Sequence, residues 1–368
     1  MHLCCYNAAL VSGVGDYWLV KHSLQVVASL LFGLILSAGS WAALVQGLYS
    51  AEVVVADKSQ AELTAGSSQA LSEVLVKISG RSDVLQNSVL RSALGDARNL
   101  VQQYAYTRHS EGSGELLARF EFDRTVISDL VAQAGVPLWT ANRPTVLLWM
   151  VIEGPQGRQF PSGEAYVEMS DRIRDEFGRR GVPVQFPLYD LNDAAAISVD
   201  ELWRLNASSV TGASQRYDIQ HILAGRLATL SDGSWVGDWT FLSDNSRIDR
   251  SIRAGDAQAF LQAGVSLVAE EMSAKYAVAP STRVSEGVKV LVSGVSSYSD
   301  YASIVAWLEG LELIKSANIE QIKGDTIQLN LIAQADAGQL AAIIELNKHL
   351  IPVRSPQSTV QLSYQWQN

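Results

Sequence analysis

Few side chains in this sequence are of types suited to covalent or acid–base chemistry. Beyond residue 42 there are three histidines, His109, His221 and His349, each in a different stretch of the chain. None has a second histidine close by, so no paired-imidazole metal site is spelled out. His221 sits within a strand-like run beside Leu223, which reads as a hydrogen-bonded histidine rather than a ligand. Carboxylates fall in near pairs, Asp171 with Asp175 and Glu176, and Glu270 with Glu271. Glycoside hydrolysis needs two carboxyl groups facing each other across a cleft. These pairs lie on amphipathic helices with basic neighbours such as Arg172, Arg174 and Arg179, which reads as solvated helix faces. Arg81, Asp83, Arg143 and His221 form a polar set that could converge from distant positions into a hydrolytic site.

Local catalytic templates are missing. The sequence contains no G-x-S-x-G, H-E-x-x-H, S-x-x-K or Walker A pattern. The glycines at 112–114 precede a strand, and Gly154-Pro155-Gln156-Gly157 lies well before the next helix. A phosphate cradle needs glycines that open a helix directly after a strand, so both read as surface turns. Trp235, Trp239 and Phe241 share one face of a strand. Exposed, they could stack on sugar rings or bases; buried, they are the core of a hairpin packed on the following helix, and burial is the preferred reading. No cofactor, metal or catalytic set is expected.

These residues need elements to hold them, and the apolar spacing supplies three blocks. The first, 48–137, reads as a strand at 49–56 and a helix at 65–79 with Leu71, Val74, Leu75 and Ile78 on one stripe. Gly80 follows as a helix stop. A second helix is predicted from Val89 to Tyr104, an alternating strand at 115–123 and a third helix around Val126–Val131. The second block, 143–278, opens on the continuous apolar run 146–152, a strand covered on both faces. A helix carrying Met169, Ile173 and Phe177, a short strand at 182–186, helical or loop segments at 200–216, a hairpin at 219–242 and a long helix at 256–276 complete a mixed-sheet α/β sandwich. After a linker at 277–286 the third block, 287–366, runs β-α-β-β-α-β, the ferredoxin-like order. Its strands are expected at 288–293, 314–322, 326–332 and 359–364, with Asp336 as a helix N-cap. The fold class is therefore α/β and α+β in several domains.

The amino end carries an address. Residues 24–36 are a mostly apolar run preceded by Lys21 and His22 and followed by small residues ending at Ser40 and Ala42. This is the pattern of a secretory signal peptide cut after Ala42. Residues 1–19, with Asp16, are unusual ahead of such a signal, so translation is expected to start near Val20. The alternative is an uncleaved anchor over 24–48, which would leave the protein tethered to the inner membrane and facing the periplasm. Both cysteines, Cys4 and Cys5, precede the signal, so the exported chain would have no disulfide, thiol chemistry or thiolate metal site. With 48% hydrophobic and 18% charged residues there is material for packed cores, which excludes a disordered chain. The net charge of −10 argues against a nucleic-acid partner, and removing residues 1–42 deletes one acid and one base, leaving it unchanged.

Three stretches carry a resemblance. Residues Ala70 to Arg81, Arg143 to Trp149, and 219–227 with the following Trp235 and Trp239 resemble the exported proteobacterial proteins of domain-of-unknown-function family 2066. The likeness spans about Tyr49 to Ala277 and implies an envelope location but no activity. The leading expectation is a non-enzymatic periplasmic binding or scaffolding protein whose partner is another envelope protein or a cell-wall component. Residues 288–364 are the first candidate surface, and membrane contact is expected only if the N-terminal segment stays uncleaved. The alternatives are a cell-wall hydrolase built from the distant polar set, and a tethered subunit of a larger envelope assembly.

Overall fold

The computed structural model describes residues 44–108, 115–244, 246–279, 287–347, 349–354 and 360–367. Residues 1–43, with most of the stretch read as a signal peptide or anchor, His109, the glycines at 112–114 and most of the linker before 287 lie outside the described residues. Residues 42–368 form one compact unit, built from three sheets with separate cores. Among the described residues, no helix is long and apolar enough to cross a membrane.

The first module pairs β1 (Ser50–Val55) and β2 (Val101–Arg108) antiparallel with a central β3 (Leu116–Phe122). Alternation decides its faces: Ala51, Val53, Val55, Ala118, Phe120 and Phe122 are buried, while Glu52, Val54 and Arg119 point to solvent. The buried face is covered by α1 (Gln60–Ser79), with Leu71, Val74, Leu75 and Ile78 fully enclosed. Ser59 caps its start and Gly80, at φ 74°, ends it in the left-handed conformation the sequence predicts. α2 (Ser88–Gly95), α3 (Ala97–Leu100) and α4 (Arg124–Gln133) close the module.

The helix predicted to reach Tyr104 stops at Leu100, and Val101–Arg108 is a strand. Asp96, with φ −112°, breaks the helical run, and the β-formers Val101, Tyr104, Tyr106 and Thr107 then pair along the open edge of β3.

The second module is a three-layer sandwich. Its sheet runs β5 (Gly157–Gln159), β4 (Val146–Gly154), β7 (His221–Thr229), β8 (Trp235–Ser243), β9 (Ser246–Ala254), and the two-residue β6 (Val184–Gln185) also joins β4. β4 and β7 are parallel neighbours, from Val146 opposite His221 to Glu153 opposite Ala228. Both faces are covered, which is why 146–151 is apolar without alternation. On one side Val146, Leu148, Met150, Trp239 and Phe241 meet α5 (Val167–Arg180) and α9 (Ala257–Tyr276). On the other, Leu147, Trp149 and Val151 meet Ile197, which follows the short α6 (Leu191–Ala196), and the helices α7 (Val199–Trp203) and α8 (Ala207–Ser214). The Gly154–Gly157 stretch is the tight turn between β4 and β5.

The third module has the ferredoxin-like order of elements: β10 (Val288–Ser293), α10 (Tyr298–Glu309), β11 (Ile314–Lys323), β12 (Thr326–Ala333), α11 (Ala337–Ile344), then β13 (Leu350–Pro352) and β14 (Leu362–Trp366). Ser297 and Asp336 each form a capping box at their helices. The sheet order is β11-β12-β10-β14-β13. The last strand starts at Leu362, and it lies parallel to β10 because the short β13 intervenes as a hairpin partner at the edge.

Candidate functional site

The segment 138–143 runs through the junction of the three modules and bonds to each. Leu138 exchanges backbone bonds with Val278, and Trp139 N donates to Ile78 O at 2.7 Å. Ala141 N donates to a Glu312 carboxylate oxygen at 2.9 Å, and Asn142 Nδ2 to Ile343 O at 2.6 Å. At its end, Arg143 is fully buried. Nε donates to Thr140 O; Nη1 to Arg180 O and Gly181 O; Nη2 to Lys77 O and Trp139 O, all between 2.7 and 3.1 Å. Its face lies 3.9 Å from the Trp139 ring centroid. A buried cation needs compensation of this completeness. Burial pulls its pKa down while the neighbouring Glu312 pulls it up, and five carbonyl acceptors favour the charged form. Arg143 is thus a joint between the C-terminal ends of α1 and α5.

His221 is also enclosed. Its Nδ1 lies 2.8 Å from Ser243 Oγ and its Nε2 3.0 Å from Tyr276 OH. Burial depresses its pKa to about 4, helped by Lys275. Arg81 and Asp83 form an exposed ion pair with each other at 2.6 Å. The four-residue polar set therefore does not assemble: one pair faces water, and the other two residues spend their polar atoms on separate partners. The aromatic face is mostly core. Trp239 and Phe241 are enclosed, Trp235 is half-buried, and Trp239 Nε1 donates to Phe260 O at 3.1 Å.

The carboxylate pairs divide. Asp171 pairs with Arg174 on the surface and Glu270 with Arg250. Glu176 is not on a solvated face: next to Phe177 on the inward side of α5, it is buried and bonded to Arg179 and Gln258 Nε2. Burial raises its pKa.

Two clefts open at the junctions. One of about 420 Å³ lies between the first and third modules and is lined by Leu44, Tyr49, Arg119, Arg124 and Glu312 among others. There Arg124 donates to the last carbonyls of α10, Glu309 O and Gly310 O, at 3.2 to 3.3 Å. Burial raises the pKa of both Glu312 and Tyr49. The other, about 460 Å³, lies between α1, α5 and α9 and is lined by Glu73, Ser82, Glu176, Arg179, Arg180, Arg250 and Ser266 among others. Sequence reasoning named Glu176 and Arg179 only as members of a solvated helix face and did not find the clefts. The paired arginines at the end of α5 were the available signal, but their partners come from remote segments.

Among the described residues, no group of three or more His, Cys, Asp or Glu side chains is placed to hold a metal ion. A family model described as "Domain of unknown function (DUF8605)" matches residues 42–140, the first module and the start of the junction segment. This corrects the resemblance to family 2066. The stretches that carried that likeness form a capped helix, its glycine stop and buried strands, features that unrelated chains reach for packing reasons. No curated protein matches the chain.

Proposed function

We propose that this chain is a non-enzymatic binding or scaffolding protein of the bacterial cell envelope, working through its surfaces and module junctions. One observation carries the reading: the side chains best suited to chemistry are consumed as structural joints. Arg143 satisfies five carbonyls, and His221 is held between Ser243 and Tyr276. The basic–apolar–small pattern before Ala43 supports export. Leu48 packs in the first core, so a membrane-spanning segment would be confined to residues ahead of Leu44.

Two edge strands offer docking surfaces for another envelope protein, β2 in the first module and β11 in the third. On them Tyr104 is 41% and Ile322 63% exposed. The test is a photo-reactive residue placed at Tyr104 or Ile322 of the full chain in living cells, together with fractionation. A discrete adduct with one envelope protein and release by osmotic shock are the expected results. Full-length protein recovered in the cytosol, or no discrete adduct from either position, would overturn the reading.

A further inference from the structure

We propose that the cleft between α1, α5 and α9 binds a phosphate group, free or carried on a larger molecule. Three guanidinium groups, those of Arg179, Arg180 and Arg250, line it in a chain whose net charge is −10. Two are committed to carboxylates. Arg179 bonds Glu73 Oε1 at 2.8 Å and Glu176 Oε2 at 3.4 Å; Arg250 bonds Glu270 Oε2 at 3.0 Å and Ala263 O at 3.2 Å. Arg180 differs. Its recorded partners are hydroxyls, Ser82 Oγ at 3.3 Å from Nη1 and Ser266 Oγ at 2.6 Å from Nη2. Each serine oxygen accepts from the guanidinium, and no acceptor for its own proton is recorded among the described residues. A hydroxyl can accept one bond and donate another at the same time. Arg180 with Ser82 and Ser266 therefore presents a cation and two O–H donors to the cleft.

The support beneath this corner is rigid. Arg180 ends α5, where the helix dipole would ordinarily repel an anion. Here Arg143 binds the carbonyl oxygens of Arg180 and Gly181, so a buried cation offsets that charge and fixes the helix end. The three donors come from the loop after α1, from α5 and from α9, so they reach the cleft from three separate elements. A phosphate has enough acceptor oxygens to take a bond from each serine hydroxyl and another from the guanidinium N–H groups that the serines leave over. A cleft of about 460 Å³ leaves room for a group attached to the phosphate. Glu73 and the buried Glu176 also line the cleft, each bonded to Arg179; they act electrostatically on Arg180 as well and disfavour a second negative group. The inference rests on this cleft alone and does not require export.

The test is titration of the full chain with inorganic phosphate, with glycerol phosphate, and with phosphatidylcholine vesicles made with or without phosphatidic acid, chloride holding ionic strength constant. Saturable binding of at least one phosphate probe is expected. It should weaken about tenfold or more in Arg180→Gln, weaken in the Ser82→Ala/Ser266→Ala double variant, and stay unchanged in Arg247→Gln, whose partner is Asp249 on β9. If Arg180→Gln does not fold, the serine variant decides, because it keeps every charge. Binding of the soluble probes identifies a soluble source of the phosphate. Binding confined to phosphatidic-acid vesicles and lost in the serine variant identifies a lipid headgroup. No saturable binding above the chloride control, or binding indifferent to both cleft variants, overturns the proposal.

Discussion

His221 illustrates how a side chain rich in chemical potential becomes a structural one. Held by Ser243 and Tyr276, it titrates near pH 4 in the fold against the ordinary imidazole value once unfolded. Between those values the unfolded chain binds a proton that the folded chain does not. The histidine's contribution to stability is therefore complete above the unfolded pKa and is lost as pH drops toward the folded one, about 3 kcal/mol in all. Glu176 and Glu312, both raised by burial, act in the opposite sense, so a comparison isolates the histidine. Urea midpoints for wild type and His221→Gln, measured from neutral pH down to the pH of half-protonation, should converge as pH falls. Parallel curves would contradict the assignment. The residue type and its strand were legible in the sequence; its partners, 22 and 55 positions away, were not.

Element by element, legibility followed local physics. Helices with a capping residue, such as α1 and α9, the first also with a glycine stop, and hairpins with turn residues, such as β7–β8, stood out because neighbouring residues dictate them. β2 was hidden because its strand-formers fall at helical spacing after α3. β9 was hidden because its outward positions carry Arg247, Asp249, Arg253 and other polar groups, leaving Ile248 and Ile252 as a thin apolar signal. How closely α9 approaches the sheet is set by glycine. A Cβ on Gly264 would sit 2.5 Å from the Trp239 indole, and one on Gly225 would strike the same ring from β7. Trp239 thus fills the gap between sheet and helix, 4.9 Å from the Phe260 ring centroid. Gly264→Ala should cost about 2 kcal/mol or more despite the better helix propensity of alanine, because the indole has nowhere to move. Thermal and urea denaturation measure this; a neutral or stabilising outcome would mean that the packing at Trp239 is looser than described.

At the scale of the molecule, the three modules share one short segment. Their cores are distinct, but Leu138 to Arg143 bonds to all of them. The body formed by residues 42–368 should unfold in a single transition. Arg143→Lys keeps the charge but has three donors for five carbonyls, so it should shift that whole transition by about 2–3 kcal/mol without splitting it. Two resolved transitions by calorimetry would indicate that the modules are energetically independent. The sequence outlined the modules but not their junctions, because both clefts are made by side chains from segments far apart in the chain. Leu44 adds a practical constraint. It packs against two of the cores, and a Cβ on Gly310 would press on its side chain, while Val45 N bonds Ala141 O at 3.0 Å. Leu44 and Val45 are thus fastened against both modules, so a reporter domain grafted directly before Leu44 would crowd the cleft mouth, whereas one set on a flexible spacer would leave it open.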